Sequence, residues 1–404
     1  METRAGDPGA FAHFDLARVD SPAFVVDAAK LRDNCRILAG IGEESGAKVL
    51  GALKAFSMWS VAPIIGDYLD GVCASGLWEA RLASEFYDGE IATYCAAYKP
   101  DDLEEICRLS DHVIFNSPDQ IVRCRDILEQ ARATGGDFDI GLRINPLHAE
   151  GEVPRYDPCA PYSRLGFPID QLEDEHLALI DGIHMHTLCE QDFPPLRRTW
   201  DVAFDRLEPW FGDLKWINFG GGHHITRADY QREELIEFLR DVQEDTGAEV
   251  YIEPGEAVAL DAGILVGTIL DTHWNGMPLA IIDISATCHM PDVIEAPYRP
   301  AMLGEEPARD ELYADASDDR VVGGTVRLGG PSCLAGDVIG DYRLPVPCEP
   351  GQRIAFLDQA HYSMVKTNTF NGVPLPSIWL WDSESDALEC VRRFDYEDFR
   401  GRLS

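Results

Sequence analysis

Short apolar runs of β type recur through the first 260 residues, with longer amphipathic stretches between them. A first run covers 22–26, and eight more follow at 48–54, 71–75, 90–95, 112–116, 139–145, 180–186, 216–220 and 249–253. Each interval leaves room for a helix. In 117–134, for example, Ile121, Val122, Ile127 and Leu128 fall mostly on one helical face. Eight alternating strand and helix units predict an α/β architecture, a (β/α)8 TIM barrel. From about residue 260 the pattern changes to strand-like segments without long helices, at 264–269, 279–284, 324–328, 353–357 and 377–380. They predict a second, all-β domain. The acidic stretch 299–319 is expected to be an exposed excursion between strands, and 382–404 to hold a final strand and helix.

Composition narrows the class. A chain of 404 residues with 45% hydrophobic content can bury a large core, and its length favours two domains. The net charge of −37 opposes binding to nucleic acid or anionic membranes. That acid excess also suits a high-salt cell interior. The first residues lack a basic region followed by an apolar stretch, and no apolar run approaches membrane-spanning length, so a cytoplasmic protein is expected. Eleven cysteines without paired spacing predict reduced thiols, most of them buried.

Chemistry gathers where the predicted barrel strands end, and the loops there build a barrel's open mouth. Lys54, one of only six lysines, closes the strand at 48–54, where a partly desolvated amine can form a Schiff base with an aldehyde such as pyridoxal phosphate. A snorkelling or salt-bridging lysine is the plainer alternative. Arg143 sits in the fifth of these strands, and His184 and His186 end the sixth. Gly220, Gly221 and Gly222 follow the seventh, where backbone amides could approach a phosphate; a flexible turn is the alternative. Glu253 ends the eighth, placed to pair with a protonated pyridine nitrogen or to act as a cap or salt-bridge partner. His184 and His186 point to one side of a strand and also suit a metal, so a metal hydrolase is the rival reading.

Six motifs carry a resemblance. They are Ala52-Leu53-Lys54-Ala55, His184-Met185-His186-Thr187-Leu188-Cys189-Glu190, Gly220-Gly221-Gly222-His223-His224, Glu253-Pro254-Gly255-Glu256-Ala257, Ala286 to Glu295, and Gly330 to Asp337. With them the chain resembles the fold-type III pyridoxal-phosphate decarboxylases, which include ornithine, arginine and diaminopimelate decarboxylases beside the alanine racemases. More narrowly, it is similar to the carboxynorspermidine and carboxyspermidine decarboxylases. The resemblance implies Lys54 as the Schiff-base lysine, His186 as the ring-stacking histidine, the triple glycine as the phosphate loop and Glu253 as the pyridinium partner. It makes Tyr362 a phosphate contact, and Cys333 a proton donor delivered across a homodimer interface. It implies an N-terminal segment at 1–27 pairing with the C-terminal domain, a cofactor-binding barrel at 28–259 and a β domain at 260–404.

Departures from the family pattern bear on the substrate. Relatives usually carry arginine where this chain has Glu256, and an acid one or two places after the cysteine, where Leu334 and Ala335 stand. Glu256, Asp292, Glu295 and Asp337 are therefore the candidate contacts for the ammonium groups of a polyamine acid, each charge-assisted contact contributing about 1.5–3 kcal/mol. The expected reaction is decarboxylation of carboxynorspermidine or carboxyspermidine, with no resident metal. A diaminopimelate-type decarboxylase or a racemase on the same scaffold, and a non-catalytic pyridoxal-phosphate-binding protein, are the alternatives.

Overall fold

The structure is a computed structural model describing residues 6–151, 153–305, 325–344 and 346–404. The chain divides into two compact units: residues 32–258, and residues 1–31 together with 259–404.

In the first unit, eight parallel strands close on themselves in the order β2 (Lys48–Ala52), β3 (Gly71–Ala74), β4 (Glu90–Tyr94), β5 (His112–Phe115), β6 (Asp139–Asn145), β8 (Gly182–His184), β9 (Trp216–Asn218) and β10 (Glu249–Ile252). The two-residue β7 (Phe167–Pro168) adds to the far end of β6. Most of the strands are buried nearly throughout, as strands sandwiched between a barrel core and outer helices must be. Aromatic side chains fill the barrel. The Trp216 indole lies where a Cβ on Gly182 would come within 2.1 Å of it, so only glycine fits that turn of the wall. His112 stacks flat on Trp216 at 4.4 Å, and the Tyr251 hydroxyl donates to Glu90 and Glu249. Asp70, Asp111 and Asp181 accept from the amides of Val49, Ile91 and Ile140, each the second residue of its strand, which pins the register near the strand starts.

The expected helix over 117–134 is interrupted. It forms as Pro118–Arg123 and Arg125–Ala133, broken at Cys124, whose backbone turns to ψ 4°. The break lets Ile121 and Leu128 enter the core while Val122 stays exposed.

In the second unit, the sheet runs β14 (Val338–Tyr342), β13 (Val326–Gly329), β12 (Pro278–Ile282), β11 (Gly263–Trp274), β1 (Ala23–Asp27), β16 (Ser377–Asp382) and β17 (Ala387–Arg392), with β15 (Arg353–Phe356) also on β11. β1 pairs antiparallel with β11 and parallel with β16, so the N-terminal strand is central to this sheet. The long β11 serves two cores, one containing Ile269, Ile282, Leu328 and Tyr342, the other Phe11, Val25, Ile264 and Trp381.

The excursion expected at 299–319 departs from that reading at its start. Arg299 lies over the Tyr342 ring and pairs with Glu305, while Met302 is buried in the β core. Residues 306–319, and the start of the strand expected at 324–328, lie outside the described residues. Among the eleven cysteines no disulfide forms, and six are buried. No helix among the described residues is long and apolar enough to cross a membrane.

Candidate active site in the barrel

One recess of about 300 Å³, counting the open space at its mouth, lies at the C-terminal ends of the barrel strands. It is lined by Lys54, Cys73, Ala74, Ser75, Tyr94, Arg143, His184, His186 and Glu253. Lys54 stands two residues beyond the end of β2, in a turn tied back by the Ala55 amide to the Ala52 carbonyl. The sequence placed this amine within a strand and partly desolvated. It is instead exposed, because the strand stops at Ala52 and the turn lifts the side chain to the mouth. Among the described residues its amine makes no hydrogen bond.

Glu253 is the most tightly held group. Its carboxylate accepts from Asn218 Nδ2 at 2.8 Å and faces His184 Nε2 at 3.1 Å, with 7% of the residue exposed. Burial alone would raise this acid, but the His184 ring, the Lys54 cation and the Asn218 amide outweigh it and keep the carboxyl below its ordinary range. Glu253 is therefore an anion with lone pairs still available inside the recess.

Three rings and a guanidinium form a layered wall. Arg143 sits over Tyr94 at 4.7 Å, Tyr94 stacks on His184 at 5.6 Å, and His184 on His186 at 6.3 Å with 13° between planes. Arg143 also donates to the His186 carbonyl at 2.8 Å. His186 lies two residues past the end of β8, half-buried, and its Nδ1 accepts from the Gly221 amide at 2.9 Å. Burial, reinforced by the cations Lys54 and Arg143, holds this imidazole well below the usual histidine value, so it is a neutral flat ring. The paired histidines do not converge as metal ligands would. Their rings are parallel, each has a nitrogen committed to the protein, and among the described residues no three His, Cys, Asp or Glu side chains form a metal-binding group.

The triple glycine is needed by the loop's own packing. A Cβ at Gly221 would lie 2.2 Å from the Glu253 carbonyl oxygen, and one at Gly222 2.2 Å from that of Leu188; Gly222 also has φ +89°. Two of the three amides expected to face a ligand are turned inward, Gly220 N to Asn218 Oδ1 and Gly221 N to His186 Nδ1. Gly222 N is left without an acceptor among the described residues. Glu256, expected as a contact for a substrate ammonium, faces His224 Nδ1 at 3.2 Å with both side chains mostly buried.

The other candidates lie in the second unit. Cys333 is exposed on the loop after β13, its amide donating to Asn371 Oδ1 at 2.8 Å. Asp337 was expected to meet a substrate amine, but it is buried. Its carboxylate accepts from Ser332 Oγ at 2.6 Å, Ser285 Oγ at 2.9 Å and the Thr287 amide at 3.4 Å. Those donors leave it organising the loop that carries Cys333. Asp292 accepts from Lys366 Nζ at 2.5 Å, and Glu295 lies 3.9 Å from the same amine, so neither acid is uncompensated. Lys366 in turn lies over the ring of Tyr362, which has φ +50°.

Sequence reasoning missed Cys73, Ala74, Ser75 and Tyr94, which line the recess, and Asn218, which donates to Glu253. Asn218 carries a usable signal. It is a lone amide in an apolar strand, two residues before the triple glycine, and so points to the same side as Gly220.

Residues 23–360 match the sequence model of the family described as pyridoxal-dependent decarboxylase, C-terminal sheet domain. The carboxynorspermidine/carboxyspermidine decarboxylase of Campylobacter jejuni is 40% identical over 95% of this chain and 98% of that protein. A carboxyaminopropylagmatine decarboxylase of Synechocystis is 37% identical over 96% of each. The crystal structure of carboxynorspermidine decarboxylase complexed with norspermidine from Campylobacter jejuni superposes with TM-score 0.84 at 39% identity, covering 95% of this chain and 100% of that one. A diaminopimelate decarboxylase from Helicobacter pylori, 17% identical with TM-score 0.76 and 96% of this chain covered against 97% of its own, shares the fold.

Proposed function

Because the chain belongs to the pyridoxal-dependent decarboxylases, we propose that it removes the carboxyl group of carboxynorspermidine and carboxyspermidine, releasing the polyamine and carbon dioxide. The single observation that carries this reading is the recess where an exposed lysine, a neutral flat imidazole and a buried carboxylate anion meet. That donor set fits pyridoxal phosphate: an amine for its aldehyde, a flat face for its ring and an anion for its pyridine nitrogen.

When bound, pyridoxal phosphate supplies an electron sink for the bonding pair left behind as the carboxylate departs. The chain's own groups do the rest. Lys54 Nζ would be its covalent anchor. His186, neutral and fixed by Gly221, would hold a face of its ring without adding charge. Glu253 would keep its pyridine nitrogen protonated, and Asn218 and His184 keep Glu253 in place. The loop Gly220–Gly222 and Tyr362 are assigned to the phosphate end.

Cys333 of the partner subunit is the proton donor, its Sγ–H supplying the carbon that has lost carbon dioxide. That role makes the enzyme a homodimer with shared active sites. An N-terminal segment at 1–27 joined to the β domain at 260–404, and a cofactor barrel at 28–259, are the corresponding functional parts, and the reaction is placed in the cytoplasm. Asp292 and Glu295, which share the Lys366 amine, are the acids assigned to the substrate's ammonium groups, with the lysine giving way as substrate enters.

The first test is the visible spectrum of the purified protein with pyridoxal phosphate, together with carbon dioxide release. Lys54→Ala is expected to abolish both the lysine-bound absorbance and turnover. Wild-type rates in that variant contradict the assignment.

A further inference from the structure

Among the loops after β9 and β10 lies a buried ion pair that the reading above does not use. His224 follows the triple glycine by two residues, and its amide donates to the Gln191 carbonyl at 3.1 Å, which fixes where the residue stands. Its Nδ1 lies 3.2 Å from Glu256 Oε1, and the two side chains are 14% and 12% exposed. With Nδ1 engaged, Nε2 is left without a protein partner among the described residues, yet it is not enclosed. The Thr226 hydroxyl, donating to the Ala257 carbonyl at 2.8 Å, ties the same two loops together a second time.

Positive charge is scarce in these two loops. Neither 219–226 nor 253–257 contains a lysine or arginine. Arg227, just beyond, is occupied with Asp229 at 3.0 Å. The backbone offers less than the motif promised, since Gly220 and Gly221 spend their amides on Asn218 and His186. Gly222 and His223 keep theirs without acceptors among the described residues. A phosphate held at this loop carries close to two negative charges and needs a cation. Burial by itself would lower His224, but the hydrogen bond and charge of Glu256 outweigh it and raise the imidazole above its ordinary value.

We propose that the His224–Glu256 pair supplies a cationic side-chain contact to the cofactor's phosphate, beside Tyr362, with His224 acting directly through Nε2 and Glu256 as the positioning residue that orients its ring. Glu256 is then removed from the set of acids that hold the substrate. The inference rests on the pyridoxal-phosphate reading of the recess and names the residues that serve its anionic end.

The experiment is a titration of apo-protein with pyridoxal phosphate and, separately, with pyridoxal, which has no phosphate. His224→Gln is expected to weaken pyridoxal phosphate by about 10- to 100-fold, the range for one charge-assisted contact, and to leave pyridoxal unchanged. His224→Arg, which restores a cation, should recover most of the loss, and Glu256→Gln should produce a smaller loss of the same selectivity. Equal losses for both ligands, or none in His224→Gln, overturn the assignment. An unchanged phosphate preference in Glu256→Gln with a raised KM for substrate returns Glu256 to the substrate and also overturns it. Failure of the wild type to bind pyridoxal phosphate removes this inference and the functional reading together, whereas tight wild-type binding with an unaffected His224→Gln removes only this one.

Discussion

Glu253 shows how the recess selects its chemistry at the scale of one residue. A carboxyl this buried would ordinarily take up a proton, yet Asn218, His184 and Lys54 keep it charged, so an anion is ready before any ligand arrives. Lys54, His186 and Glu253 were legible in the sequence because each ends an apolar run beside a distinctive motif. Tyr94, the last residue of β4, was not, because which side of a strand faces the recess is known only once the barrel is closed; Asn218, the last residue of β9, offered only its place two residues before the glycines. A different buried group gives a prediction for stability. His289 accepts from the Ser285 amide at Nδ1 and faces the Pro374 carbonyl through Nε2, which fixes the neutral tautomer. Burial pushes it down to about 4. A histidine whose folded value lies below its unfolded value contributes stability that is complete above about pH 6.5 and lost as the pH falls toward 4. The expected contribution to acid destabilisation is on the order of 3 kcal/mol. Thermal midpoints of wild type and His289→Gln, followed from pH 7.5 to 4.5, should converge as the pH falls. Parallel curves contradict it.

At the scale of elements, the loops after β8, β9 and β10 form one interlocked set. Gly221 links to His186, Glu253 N donates to the Gly220 carbonyl at 2.7 Å, and Gln191 N donates to the Gly222 carbonyl at 3.0 Å. Gly221→Ala is expected to force the Glu253 backbone aside, costing about 1–3 kcal/mol as an overpacked substitution and displacing His186. Loss of cofactor affinity with a lowered thermal midpoint is the predicted outcome. A variant with wild-type midpoint and affinity contradicts the packing argument. Element positions were well marked by hydrophobic runs in the barrel, where strands are buried on both faces. β14 escaped notice because Val338–Tyr342 interrupts its apolar positions with Gly340 and Asp341. The break at Cys124 escaped because side-chain periodicity does not record a change in backbone ψ.

At the scale of the whole molecule, the chain leaves and re-enters its β unit. Residues 1–31 belong with 259–404 through β1, a five-residue strand that stands in sequence ahead of the whole barrel. Long-range pairing of that kind has no local signature. The proposed sharing of sites between subunits yields a mixing experiment. Lys54→Ala and Cys333→Ala are each expected to be inactive alone. Co-refolded or exchanged in equal amounts, they should recover about a quarter of wild-type activity, because half of the dimers then hold one intact site. No recovery, with subunit exchange verified by mass, contradicts a shared site.

Carbon dioxide release by the purified holoenzyme from carboxynorspermidine, carboxyspermidine, carboxyaminopropylagmatine and diaminopimelate, measured side by side, is the decisive experiment. The highest kcat/KM is expected for the two carboxylated triamines, with a small difference between them, since one methylene is worth only about 1–3 kcal/mol even in a fitted pocket. Turnover of diaminopimelate alone, or of carboxyaminopropylagmatine in clear preference to both triamines, would contradict the proposed function.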